Sequence, residues 1–133
     1  MKILFIGNSH TFVNGMPFIF SGLSKARGGA GADVFMLASP GVSLGWHAGQ
    51  PETLANITCG NWDYVILQQV AHPFAGRENL LEESRKLVEI IKTTRAQPVL
   101  YMPWASKKEP GMQAELEAGF SAVSRELGAL VAP

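Results

Sequence analysis

Five short apolar runs, at 3–6, 34–38, 64–67, 99–102 and 129–132, alternate along the chain with longer stretches of helical spacing. A continuous apolar run of four or five residues is the pattern of a strand buried on both faces, as parallel strands are. Gly7 stops the first run, the turn residues Gly60-Asn61-Trp62-Asp63 precede the third, and Pro98 and Pro103 bracket the fourth. Between the runs, Pro17 suits a first helical position, with Phe18, Phe20, Leu23 and Ala26 following as a stripe. Leu80, Leu81, Leu87, Val88 and Ile91 recur at helical steps, and Glu82 before Lys86 and Arg85 before Glu89 give the 77–95 stretch a solvated side. Met112, Leu116, Phe120, Val123 and Leu127 form another stripe, closed by a capping Gly128, and residues 51–57 predict a short helical turn. Strand, helix, strand, repeated, predicts an α/β fold with a parallel sheet between helical layers.

Length and charge narrow the function classes. With 133 residues, 47% of them apolar, the chain is one domain with enough core to fold. Lys and Arg balance Asp and Glu at 11 each, so no basic patch invites nucleic acid. A single cysteine, Cys59, excludes an intrachain disulfide and reads as a buried structural thiol. The apolar run after Lys2 is too short for a signal-peptide core or a membrane span, so the chain as given reads as soluble and cytoplasmic unless a secretory leader has been removed. The glycines at 28, 29 and 31 fall between a helix and a strand, a loop position, whereas a dinucleotide fingerprint needs them between a strand and the following helix. There is no phosphate-binding Gly-x-x-x-x-Gly-Lys loop, and no cofactor or metal is expected.

In open α/β sheets the chemistry sits beyond the carboxyl ends of the strands. Those ends here carry Gly7-Asn8-Ser9-His10-Thr11, then Ser39-Pro40-Gly41-Val42-Ser43-Leu44-Gly45-Trp46-His47, then Gln68-Gln69-Val70-Ala71-His72-Pro73, then Pro103-Trp104-Ala105-Ser106. A hydroxyl, small-residue amides and carboxamide side chains on one edge suit acyl transfer, which needs a nucleophile and donors for an oxyanion.

The first of these loops, with the run before it, resembles the first block of the SGNH (GDSL-like) hydrolases, in the subgroup that reads Gly-Asn-Ser-x-Thr. Asn14-Gly15-Met16-Pro17, Gly41-Val42-Ser43-Leu44 with His47, and Trp62-Asp63-Tyr64-Val65-Ile66-Leu67-Gln68 continue the resemblance in order over nearly the whole chain. It implies a flavodoxin-like α/β/α domain with strand order 2-1-3-4-5, hydrolysing an ester or O-acetyl group on a small molecule or an acetylated sugar. It makes Ser9 the nucleophile, with the backbone N–H groups of Ser9 and Gly41 as oxyanion donors. The family's third block normally adds an Asn side chain, but that position falls on Val70, so Gln68 or Gln69 is expected to stand in, Gln68 first. Asn8, His10, His47, His72 and Trp104 complete the candidate pocket.

The family's base comes from Asp-x-x-His after the fifth strand, whereas the residues three before His10, His47 and His72 are Gly7, Leu44 and Gln69. The expectation is therefore a truncated domain whose last block and last helix lie beyond Pro133, with little or no activity of its own. The helix near 17–27 would then be alone on its face of the sheet, which predicts association of copies over the apolar surface left open. A non-catalytic module binding an acylated or sugar ligand at the same loops is the competing function. A flavodoxin-like cofactor or phosphoacceptor domain is disfavoured, because the first strand lacks an acidic cluster.

Overall fold

The computed structural model describes residues 1–28 and 30–133. Of the glycine-rich loop, Gly29 lies outside the described residues. The elements run β1 (Lys2–Gly7), α1 (Ser9–Phe12), a 3-10 turn (Val13–Gly15), α2 (Met16–Ala26), β2 (Asp33–Ala38), α3 (Leu44–Ala48), α4 (Pro51–Cys59), β3 (Tyr64–Leu67), α5 (Gly76–Ile91), β4 (Gln97–Tyr101), α6 (Met112–Leu127) and β5 (Leu130–Ala132). The five strands are all parallel in the order β2-β1-β3-β4-β5, as expected. The chain steps one way from β1 to β2 and the other way for every later strand. Crossovers are right-handed, so a reversal of direction puts the connecting helix on the opposite face. That is why α2 covers one face and α3 to α6 cover the other.

The two faces are packed unequally. Leu4, Ile6, Val65, Leu67 and Leu100 meet Leu80, Leu87, Ile91, Leu116, Phe120 and Val123 in the main core. On the α2 face, Ile3, Phe5 and Ala32 pack with Met16, Val34, Tyr64 and Ile66. The stripe expected on this helix is not the one that packs. Phe18 is 70% and Leu23 63% exposed, while Pro17 is buried and Phe20 meets Phe5 edge to face. The Ser21 hydroxyl donates to the Ala32 carbonyl at 2.7 Å, which ties α2 to the segment before β2.

Pro98 lies inside β4 without breaking it. The Gln97 N–H donates to the Asp63 carbonyl on the β3 side, so the next backbone nitrogen faces the other neighbour. There β5 pairs only from Val99 onward, and the missing N–H of Pro98 costs no ladder bond. Cys59 is exposed rather than buried: it closes α4 on the solvent side, while Thr53 and Ile57 face inward. No helix among the described residues is long and apolar enough to cross a membrane.

Candidate active site

The carboxyl ends of β1, β2 and β3 are joined by buried side chains. β1 ends on Gly7 because Thr11 and Gln68 pack over it: a Cβ there would collide with the Thr11 hydroxyl and lie 2.7 Å from the Gln68 carboxamide oxygen. Asn8 follows, only 4% exposed, and works three ways. Its backbone N–H donates to Gln68 Oε1 at 3.0 Å, its Nδ2 donates to the Val42 carbonyl at 3.1 Å, and its Oδ1 accepts the His10 N–H at 3.1 Å as the N-cap of α1. This residue therefore ties the loop after β1 to the loops after β2 and β3 and starts the helical turn that presents Ser9.

Ser9 is the first residue of that turn and is partly exposed. Neither its hydroxyl nor its backbone N–H is hydrogen-bonded among the described residues, as first-turn N–H groups have no intrahelical acceptor. The Gly41 N–H is likewise free, in a turn where Gly41 has φ +70°, a conformation that favours glycine. Ser9 and Gly41 thus stand on one edge of the sheet, on loops joined by Asn8.

Gln68 and Gln69, expected as oxyanion donors, are both turned inward. Gln68 Oε1 accepts from the Asn8 N–H and, at 3.0 Å, from the Thr11 hydroxyl, while its Nε2 donates to the Gln69 carbonyl. Gln69 Oε1 accepts the Leu44 N–H at 2.9 Å, and its Nε2 donates to Asn79 at 3.2 Å. The carboxamides are spent on holding loops, because the buried backbone N–H groups of Asn8 and Leu44 need acceptors there.

The candidate pocket residues divide in the same way. His47, 2% exposed, donates from Nε2 to the Gly7 carbonyl at 2.8 Å, and burial pulls its pKa below the ordinary value although that bond opposes the shift. It is a strut beside β1, as Asn8 is, and neither lines a cleft with the other candidates. His10, His72 and Trp104 do come together, around a cleft of about 230 Å³ that Asn14 and Tyr101 also line. The His10 and His72 rings meet edge to face with centroids 5.2 Å apart. Burial and then the neighbouring His72 hold the His10 pKa down. No group of three or more His, Cys, Asp and Glu is placed to hold a metal among the described residues.

Sequence reasoning missed Glu83 and Thr11. Glu83 belongs to α5, whose spacing announces only a solvated side, yet its Oε2 accepts the Gly45 N–H at 2.6 Å and caps α3. Gly45 is the one signal: any Cβ there would run into that carboxylate.

No protein-family model and no curated protein sequence matches the chain. Solved structures do. The chain resembles a candidate SGNH hydrolase from Slackia heliotrinireducens at 27% identity and a TM-score of 0.82, over 98% of this chain and 77% of that one. It has the fold of a G-D-S-L family lipolytic protein candidate from Desulfitobacterium hafniense, with a TM-score of 0.73 at 17% identity over 98% and 75% of the two chains. A psychrotrophic esterase from a Pseudoalteromonas species shares the fold at 13% identity and a TM-score of 0.71, over 98% and 75%.

Proposed function

For a chain that belongs to the SGNH (GDSL-like) hydrolase superfamily, we propose an ester-cleaving centre in which Ser9 is the nucleophile and the backbone N–H groups of Ser9 and Gly41 receive the oxyanion. The observation that supports this is a free Ser9 hydroxyl and N–H at the end of β1, with the unpaired Gly41 N–H on the loop that Asn8 ties to it. Ser9 Oγ adds to the carbonyl carbon of a small ester, and the tetrahedral oxyanion is held by donors that need no rearrangement. Collapse expels the alcohol, which takes up a proton, and water then releases the acid from the Ser9 acyl ester.

The step that is poorly served is removal of the Ser9 proton. The 133 residues hold no Asp-x-x-His, and His47 is committed to Gly7. Catalysis without a triad member falls to the residual level that binding and the oxyanion donors supply. The 133-residue chain therefore hydrolyses p-nitrophenyl acetate slowly, and Ser9→Ala removes that activity. An alkyl fluorophosphonate, which mimics the tetrahedral adduct, modifies Ser9 and no other residue. Equal rates for the chain and Ser9→Ala, with no adduct by mass spectrometry, would overturn the reading and favour the non-catalytic binding module on the same loops. Fast turnover lost in His10→Ala or His72→Ala would instead locate a base within this chain.

A further inference from the structure

The sheet has two outer strands, β2 and β5, and they are finished differently. β5 spans only Leu130–Ala132, too short to template much pairing. β2 runs for six residues, and from Val34 to Ala38 it carries no charge and no proline, so the usual guards of an exposed edge are missing there. Backbone polar groups alternate in direction along a strand. The Asp33 N–H donates to the Met1 carbonyl and the Ser39 N–H to the Gly7 carbonyl, so the odd-numbered residues of β2 face β1. Val34, Met36 and Ala38 therefore turn their N–H and C=O groups away from the sheet. None of these groups has a hydrogen-bond partner among the described residues.

These three positions complement themselves. Antiparallel pairing about a two-fold axis at Met36 sets Met36 against Met36 of a second copy, Val34 against Ala38 and Ala38 against Val34. Each opposed pair exchanges two hydrogen bonds, so all the outward groups of the strand are satisfied. Between them, Phe35 falls opposite Leu37 at the closely spaced positions of the ladder. Phe35 is 47% and Met36 38% exposed, large apolar side chains that the fold leaves half open. Beside Leu37 a hollow of about 250 Å³, bordered by Trp46, Gln50 and Thr53, gives the second copy's ring room. Asp33, the only charge on the strand, falls opposite Ser39, so like charges do not meet. The register that uses every outward group is symmetric and is matched by this strand's own side chains, which selects a second copy over a foreign strand. We propose that β2 is a dimer interface, joining two copies of the chain into one continuous ten-stranded sheet. Pairing over five residues a side covers less than the roughly 800 Å² per partner of a standard interface, so the expected dissociation constant is micromolar.

Sedimentation of the 133-residue chain from micromolar to millimolar concentration should show a monomer–dimer equilibrium. Amide exchange should slow at Val34, Met36 and Ala38 as the dimer forms, and stay as it is at Phe35 and Leu37, whose N–H groups face β1. Met36→Pro removes an outward N–H without touching the β1 ladder, and Met36→Lys adds the charge that edge strands ordinarily carry. Each should weaken dimerisation at least tenfold with an unchanged circular dichroism spectrum. Leu23→Glu, on the exposed side of α2, should leave dimerisation as it is. A monomer at millimolar concentration would overturn the proposal. So would a dimer whose Val34, Met36 and Ala38 amides exchange as they do in the monomer, a reading that needs no variant to fold. A dimer lost in Leu23→Glu and kept in Met36→Lys would also overturn it and move the contact to α2.

Discussion

The carboxyl edge of the sheet has two halves built on opposite terms. Over β1, β2 and β3 the loops are stitched by buried groups: Asn8, Thr11, His47, Gln68, Gln69 and Glu83 each hold a partner on another segment. Over β4 the loop carrying Trp104 is tied chiefly by the Ala105 N–H, which donates to Gln113 Oε1 at 2.9 Å, and by local turns at Ser106. In the first half those six side chains are used in fixing the loop backbones that carry Ser9 and Gly41. In the second half Ser106 and Gln113 are paired locally, while Trp104 stays exposed beside the cleft that His10, Asn14 and His72, from the segments after β1 and β3, also line. The halves thus differ in how firmly their loop backbones are tied, not in which of them reaches the cleft.

Substitutions can break this division, and the largest effect is expected at Gln68. Gln68→Leu keeps the bulk but removes the acceptor shared by the Asn8 N–H and the Thr11 hydroxyl. Two buried donors lose their partner, at about 1–3 kcal/mol each in full burial, so a loss of roughly 2–4 kcal/mol in urea unfolding is expected. The m-value should stay constant and labelling of Ser9 should vanish. A loss below about 0.5 kcal/mol would mean the edge is not held by this residue. Glu83→Ala comes next, freeing the Gly45 N–H that caps α3, with an expected loss of about 1–2 kcal/mol. Gly45→Ala should lose a similar amount by forcing the same carboxylate away, and if the two effects simply add in the double variant, the capping account fails.

A smaller effect is expected from His47. Its folded pKa lies below the ordinary 6.5 because burial disfavours the imidazolium. The unfolded chain therefore takes up the proton first as pH falls. The stabilisation is complete above about pH 6.5 and declines as pH drops from there through the folded pKa, by about 1 kcal/mol or less in the first unit. His10 shifts the same way, and Asp63, held low first by the Lys2 N–H, adds its own loss only in the carboxylate range. Comparing unfolding of the unsubstituted chain with His47→Gln between pH 7.5 and 5.5 isolates the His47 share. Identical slopes would show that His47 does not resist protonation. Smallest of all is Trp104→Ala: an indole this exposed should change stability by no more than about 0.5 kcal/mol. A loss above about 1 kcal/mol in thermal unfolding would make Trp104 a packing residue and erase the contrast between the halves.

The sheet was legible because strands buried on both faces must be continuously apolar, and 3–6, 64–67 and 99–102 are. Positions at strand ends, among them Ser9 and Gly41, follow from that framework. The roles of Gln68 and Gln69 did not follow, because a carboxamide looks the same in sequence whether it faces a ligand or a neighbouring N–H. Nor did the exposure of Phe18 and Leu23 on α2, because an apolar stripe in sequence does not say whether the fold offers it a partner. Glu83 was hidden for a third reason: its partner is 38 residues away in the chain, and helix periodicity carries no information at that range.

Since β3 joins the free edge of β1, and β4 and β5 each join the strand before them, the sheet can grow in the order in which the chain is synthesised. The three-stranded piece β2-β1-β3 brings Gln68 and Gln69 within reach of Asn8 and Leu44 early, whereas the bonds from Gln69 to Asn79 and from Gly45 to Glu83 wait for α5. On the face that carries Leu4, Ile6, Val65 and Leu67, Leu44, Ala48 and Ile57 of α3 and α4 give partial cover until α5 has followed. The part of the molecule that carries Ser9 therefore takes shape early but stays half-covered until Leu80, Leu87 and Ile91 of α5 arrive.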